Sequence, residues 1–494
     1  MNQSVQPAND HHRSSLINQL ARFLPRNCIL MEDQELVPYE CDGLSAYRQR
    51  PLLVVLPETV EQVIQIMKVC SAMSVPVVAR GAGTGLSGGA LPLADGVLLV
   101  LAKFNQILQL DPLRRIARVQ PGVRNLAISE AADVHGLYYA PDPSSQIACS
   151  IGGNVAENSG GVHCLKYGLT IHNILQLKVV TIDGELLTIG SEALDSAGYD
   201  LLAVMTGSEG MLGVVVEVVV KLLPKPEHTS LVLAAFDQVE SAGAAVGGVI
   251  AAGVIPAGLE MMDNFAIRAT EDFAHCGYPV DAAAILLCEV DGTEAETREQ
   301  VEQVKVVMAQ HGASEIRIAG SEAERLLFWK GRKMAFPAMG RISPDYYCID
   351  GTIPRRELPG LLSKMNEWSE YYKLRVANVF HAGDGNLHPL ILFDANMPGE
   401  LERTEEFAAK ILEMCVQVGG TITGEHGVGI EKINQMCSQF NENEIRQFHA
   451  LKEAFDPLAL LNPGKAIPTL QRCAEYGAMH VHNGELPFPE LERF

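Results

Sequence analysis

Between residues 51 and 80, two short apolar runs, PLLVVLP and VPVVA, flank a segment of different rhythm, ETVEQVIQIMKVCSAM. Within that segment Val63, Ile64, Met67 and Cys70 recur at helical spacing, and Thr59 with Gln62 three residues on resembles a capping box. The pattern predicts a β-α-β unit. From 97 to 222 the period shortens: GVLLVLAKF, RRIARVQPGV, LQLKVVTIDG and GVVVEVVVKLL read as strands broken by glycine loops. The proline-bearing LLPKPEH at 222–228 marks a boundary. Beyond it, strands such as LVLAAF and AAILLCEV alternate with long helical patterns such as EAETREQVEQVKVVMAQHG, out to about residue 440. A helix, FDPLALLNPGK and an irregular tail complete the chain. The expected division is an N-terminal segment 1–50, a first domain 51–228, a second domain 229–440 and a C-terminal segment 441–494.

One stretch of the second domain, VANVFHAGDGNLHPLILF, combines a strand pattern with possible chemistry. Asp384-Gly385 is a favoured two-residue hairpin turn between apolar runs. With that turn, His381 and His388 fall directly opposite each other, with Cβ atoms about 5 Å apart. Such a spacing suits two imidazoles on one cation, and equally a surface hairpin with two solvated histidines.

The chain has 494 residues, 47% of them hydrophobic, which is enough for more than one core. Its formal charge of −22 excludes nucleic acid as a partner, since phosphate binding needs a basic face. An anionic substrate needs local positive charge inside a site. The 11 cysteines are scattered and include no CxxC, which argues against a disulfide framework or an iron–sulfur cluster and fits a reducing cytoplasm. The polar opening MNQSVQPANDHHRSS predicts no secretory signal, and no apolar run reaches membrane-spanning length.

VPVVARGAGTGLSGGALP contains a formal GxGxxG, Gly83 to Gly88, after a strand. A Rossmann nucleotide site requires a helix to open at that loop. Here Gly89-Ala90-Leu91-Pro92-Leu93 and a strand follow, so the Rossmann reading fails. The glycine run still allows consecutive backbone N–H groups to converge on an anion. PDPSSQIACSIGGNVAENSGG and TGSEGMLGVVVEV add two further glycine loops, as expected for a long cofactor lying against backbone.

RGAGTGLSGG, PDPSSQIACSIGGNVAENSGG and GSEGMLG resemble the FAD-binding loops of the vanillyl-alcohol-oxidase/p-cresol-methylhydroxylase (PCMH) flavoprotein superfamily. HAGDGNLHP and TGEHGVG narrow the resemblance to its D-2-hydroxyacid dehydrogenase branch, and the pattern is similar end to end to the FAD-binding subunits of bacterial glycolate oxidases. The resemblance implies an α+β fold: a PCMH-type FAD-binding domain of two subdomains, a substrate (cap) domain with an antiparallel sheet, and a C-terminal segment returning to the FAD domain. It implies that Arg80, Gly81, Gly83, Thr84 and Gly85 hold the FAD pyrophosphate. Pro141, Asp142, Ser144, Ser145, Gly152, Gly153 and Asn154 then line the flavin, and Gly207, Glu209, Gly210 and Gly213 close over the cofactor, with Asn462 of the NPGK segment beside it.

In GGTITGEHGVGI, Glu425 joins His381 and His388 as third metal ligand, an open His₂Glu set that admits zinc, manganese or iron. His426 is the expected general base and, by the family pattern, Arg332 in FWKGRKMAFP binds the substrate carboxylate; Lys330, Lys333 and Arg341 are its competitors. Some relatives acting on larger diacids carry a lysine in the segment corresponding to DYYCIDGTIP. Its lack here points to a small 2-hydroxy monoacid, glycolate or D-lactate. The implied activity is FAD- and metal-dependent oxidation to the 2-oxoacid, with electrons leaving to an iron–sulfur subunit and a second FAD-domain-like subunit, at the membrane only through those partners. The alternatives are a dedicated D-lactate dehydrogenase, a non-redox alkyl transferase on the same scaffold, a metal-only Fe(II) oxygenase and a pure assembly subunit. LPFPELERF reads as a docking tail or as a disordered end.

The phosphate loop has no histidine or cysteine to which FAD could be linked. Denaturing the purified protein should therefore release all of its yellow colour into the supernatant; colour on the precipitated chain would refute non-covalent FAD.

Overall fold

A computed structural model describes residues 6–193 and 197–479. The docking tail LPFPELERF lies outside the described residues. The predicted β-α-β unit is present as strands Leu53–Val55 and Val77–Arg80 around the helix Val60–Ala72, whose capping box joins Thr59 and Gln62. Both strands pair in parallel with Val97–Val100 in a four-stranded sheet that Ile29–Leu30 completes. The strand-rich stretch that follows forms a five-stranded antiparallel sheet in the order Ile107–Asp111, Ile116–Val119, Val214–Lys221, Ile174–Val180, Leu186–Gly190.

Residues 228–393 supply a seven-stranded antiparallel sheet, in the order Ala313–Ile318, His228–Phe236, Ala284–Gly292, Gly258–Asp263, Arg375–Phe380, Pro389–Phe393, Asp345–Cys348. Its central strands are mostly apolar because both faces are covered, with a few acids such as Glu260 and Glu289 buried among them. Val232, Ala234 and Phe236 enter one core with helices such as Val239–Ala251 and Leu358–Tyr372, while Leu231, Leu233 and Ala235 enter another with the helix Glu322–Met339. Successive side chains point to opposite faces, so LVLAAF is two interleaved core stripes.

The C-terminal segment returns to the first domain as a strap. Val77 N–H donates to Leu460 O (2.8 Å) and Asn462 N–H to Val77 O (2.8 Å). Lys465, 2% exposed, then donates through Nζ to the carbonyls of Gly89 (2.9 Å) and Leu91 and to Asn462 Oδ1 (2.7 Å). The strap thus fastens the end of the glycine-rich phosphate loop.

One expectation is corrected. Cys437 and Cys473 are joined in a disulfide that ties the helix Met436–Gln439 to the helix Leu470–Met479. The two cysteines are 36 residues apart and meet only because the C-terminal helix packs back on the chain, which no spacing motif announces. No described helix is long and apolar enough to cross a membrane.

Lys465→Met would leave two carbonyls and an amide oxygen without their buried donor. It should destabilise the protein by about 2–5 kcal/mol in urea unfolding, with FAD retention falling in parallel.

Candidate active site

The glycine loops enclose a cavity of about 510 Å³ between the two domains. The expected residues Arg80, Gly81, Gly83, Thr84, Gly85, Ser144, Ser145, Gly152, Gly153, Asn154, Glu209, Gly210 and Gly213 all line it. Gly83 has φ +72°, and a Cβ there would collide with the Arg80 guanidinium, which is held by Cys41 O at 2.6 Å. A Cβ on Gly152 would come within 2.5 Å of Pro121. These two glycines are required by close packing of the wall itself, and Ser150 Oγ on the same wall is buried with no partner among the described residues. The cavity therefore fits a long dinucleotide cofactor. Four expected residues stand behind the lining instead. Pro141 O accepts from Asn125 (3.0 Å), Asp142 pairs with His163 (2.9 Å) and Gly207 N–H donates to Val155 O (2.8 Å). Asn462 Nδ2 donates to Gly89 O (3.0 Å) and Glu209 O (2.7 Å).

His388, Glu425 and His426 of the second domain line the same cavity. The hairpin register differs from the expected one. His381 pairs across the ladder with Asn386, and Ala377 with Leu390, so the connection is the four residues 382–385 and His388 lies diagonal to His381. The slip is by two residues, which keeps both imidazoles on one face. Their ring centroids are 5.0 Å apart, and one oxygen of Glu425 lies 2.9 Å from His388 Nε2 and 3.4 Å from His381 Nε2. All three ligand atoms fall within 4.8 Å of one another and all three residues are buried.

The other ring nitrogens are engaged as a metal site requires. His388 Nδ1 faces Ile349 O at 3.2 Å, and His381 Nδ1 faces Glu260 Oε1 at 2.8 Å. Both tautomers thereby turn Nε2 toward Glu425. Burial opposes charge on these rings, but Glu260 and then Glu425 raise the His381 pKa well above its ordinary value, and Cys348 and Glu425 push His388 up to about 10. Burial likewise opposes ionisation of Glu425, and the two imidazoles outweigh it, holding the carboxyl well below its usual range. Two nitrogens and a carboxylate in a pocket whose acids stabilise positive charge fit a divalent cation.

His426 stacks on His388, centroids 4.8 Å apart and 15° between planes, and its Nδ1 is buried with no partner among the described residues. Burial is the main cause that pulls its pKa down to about 4, against the opposing pull of Asp350. The ring is a neutral proton acceptor facing the cavity.

Arg332 lies elsewhere. It is 1% exposed, its Nε and Nη2 lie 2.8 and 2.7 Å from Glu260 Oε2, and it stands behind His381 while Lys333 lines the cavity. Two residues of the site were missed in the sequence. Glu260 orients His381, and Asp350 accepts the N–H groups of Gly424 (3.1 Å), Glu425 (3.1 Å) and His426 (2.8 Å), fixing the loop that carries the ligand and the base. The available signal was an acidic residue inside an otherwise apolar strand pattern, GLEMMD and YYCID.

Residues 51–190 match the FAD binding domain family, and residues 225–466 match the family of FAD linked oxidases, C-terminal domain. The chain belongs to the FAD-linked oxidases and, within them, to the family of glycolate oxidase GlcD subunits. It is 68% identical to glycolate oxidase subunit GlcD of Escherichia coli (strain K12), over 98% of this chain and 97% of that one. It is 31% identical to a D-lactate dehydrogenase of Anaerostipes hadrus, over 91% of this chain and 96% of that one. The solved structure of p-cresol methylhydroxylase with substrate bound superposes with a TM-score of 0.79, covering 93% of this chain and 98% of the other at 17% identity, a likeness of fold alone.

A second charged junction joins the domains: His163 sits between Asp142 (2.9 Å) and Glu289 (3.4 Å), which raise its pKa to about 10 against the effect of burial. A histidine whose folded pKa exceeds its unfolded value stabilises fully below about pH 6.5, and the contribution disappears as pH rises through about 10. Urea unfolding of the wild type should lose up to about 1.4 kcal/mol per pH unit across that window, a component missing from His163→Gln.

Proposed function

We propose that this protein oxidises glycolate to the 2-oxoacid as the FAD-binding subunit of a glycolate oxidase complex. The observation that carries the reading is the convergence of His381, His388 and Glu425 with His426 at the glycine-loop cavity, in a chain 68% identical to a glycolate oxidase subunit. FAD, bound non-covalently along the glycine loops, supplies the two-electron acceptor, and a divalent cation on the His₂Glu set, zinc or manganese with iron also compatible, supplies Lewis acidity. The chain's own residues do the rest. His426, which lines the cavity, offers a neutral imidazole to the substrate hydroxyl proton. Asp350 keeps that ring and Glu425 aimed at one point, and Glu260 keeps His381 in the binding tautomer. The carboxylate-binding role expected of Arg332 requires it to part from Glu260, so Lys333 is the cation in reach of the substrate carboxylate.

Electrons leave through an iron–sulfur subunit, with a second FAD-domain-like subunit completing the complex and respiratory chain as the final sink. The assembly works in the cytoplasm, at the inner face of the membrane only through its partners. D-Lactate is the second expected substrate, in line with the 31% identical D-lactate dehydrogenase.

Anaerobic addition of glycolate or D-lactate should bleach the flavin, and a chelator should stop both. A flavin that stays yellow with every 2-hydroxyacid would reject the oxidation. His426→Asn should lower kcat by about 10²–10⁴-fold with colour retained.

His388→Ala and Glu425→Ala should copurify with FAD but without divalent metal, and Glu260→Gln should weaken metal affinity by about 10–100-fold, as read by elemental analysis and metal titration. Full metal content in the ligand variants would show that the cation sits elsewhere.

A further inference from the structure

Glu157 ends the helix Ile151–Glu157, in the segment GGNVAENSGG, and lines the cavity without a task in the scheme above. Oε2 is buried and has no hydrogen-bond partner among the described residues. The neighbouring acid, Glu209, is in the opposite condition. Its two oxygens accept the N–H groups of Val428 and Gly429, each at 2.7 Å. Both carboxyls close on the same spot. A Cβ placed on Gly427 would collide with Glu157 Oε2 and stand 3.0 Å from Glu209 Oε1.

Two carboxyls against one buried point repel each other and raise each other's pKa, and the one with two N–H donors is the better placed to keep the charge. The proton belongs on Glu157. Burial and then Glu209 push its pKa well above the ordinary carboxyl value, and Asp42 adds to the effect, while Lys432 and Lys465 oppose it. A neutral carboxyl in a cofactor cavity is a hydrogen-bond donor in search of an acceptor. Its neighbours in the wall are Gly427, one residue from the base His426, and Gly89, whose Cβ would stand 2.7 Å from Glu157 Oε1, so it stands between the His426 loop and the end of the first glycine loop.

We propose that Glu157 is a positioning residue for the redox step: as a protonated acid it donates a hydrogen bond to the flavin ring and favours the reduced cofactor. The inference rests on the reading that FAD occupies this cavity. A donor directed at the ring stabilises the electron density that reduction adds, so its loss makes the flavin harder to reduce.

The test is the midpoint potential of the bound flavin in the FAD-loaded full chain, by anaerobic dye-coupled titration, for wild type, Glu157→Gln and Glu157→Leu. Glu157→Gln keeps a neutral donor and should stay within threefold of wild type in the reduction equilibrium. Glu157→Leu should shift that equilibrium at least tenfold toward oxidised flavin, about 30 mV for a two-electron couple. Equal potentials in wild type and Glu157→Leu would overturn the proposal. So would a tenfold shift toward reduced flavin in Glu157→Gln, which would mean the native group is ionised. If Glu157→Leu sheds its FAD, infrared difference spectra on reduction decide: a protonated-carboxyl band present in wild type and lost in Glu157→Gln supports the proposal, and its absence from wild type refutes it. A colourless wild-type protein would instead sink the cofactor reading on which the inference stands.

Discussion

The active end of this protein hangs on one buried anion. Asp350 is wholly inaccessible, and removing a carboxylate from water costs several kcal/mol unless donors replace the lost hydration. Here the donors are the Thr423 hydroxyl (2.6 Å), the N–H groups of Gly424, Glu425 and His426, and Lys432 Nζ (3.3 Å). Together they fold the segment 423–426 around a single point. That wrapping sends Glu425 toward the two imidazoles and His426 toward the cavity. A glycine-rich loop without this centre would have no reason to hold a metal ligand and a proton acceptor on adjacent residues.

The site is a junction, built where two domains are clamped together. Glu209 of the first domain takes the N–H groups of Val428 and Gly429, just past the ligand loop. Asn462 and Lys465 of the returning strap hold Gly89 from the other side. The glycine loops and the His381–His388–Glu425 cluster are thereby registered to each other by hydrogen bonds with charged or amide groups, most of them deeply buried. This accounts for most of the ionic side chains in the interior, which are paired or bonded as burial demands, with Glu157 an exception. The chain of contacts Arg332–Glu260–His381 shows the same economy, with an arginine neutralising the acid that orients a ligand.

The cap helix Glu322–Met339 illustrates how a motif can be recognised and its geometry misjudged. Arg332 stood in a basic cluster beside an aromatic pair, and as a lone segment FWKGRK reads as an anion site. Its actual partner, Glu260, lies 72 residues earlier on a strand of the sheet beneath. The cation that lines the cavity is the next residue, Lys333, because one step along a helix turns a side chain by about a quarter of the circumference. The hairpin histidines show the reverse: the register was placed two residues off, yet the pair survived, since any even slip on a strand preserves the face.

Local rules carried most of the architecture. Apolar period, capping residues and glycine loops fixed the β-α-β start, the strand-rich half and the cofactor wall, because each depends on neighbours in the chain. The residue types of the site, two histidines flanking a turn and a Glu-His pair between glycines, were likewise readable as a donor set. Only the folded chain decided what completes that set. Asp350, Glu260 and Glu157 are ordinary acids in sequence; sheet registry and domain closure bring them to partners or leave them without one. Burial then sets their charge, and no local pattern encodes burial against a distant segment. The Cys437–Cys473 link belongs to the same class, since the helices that present it meet only after the strap has returned.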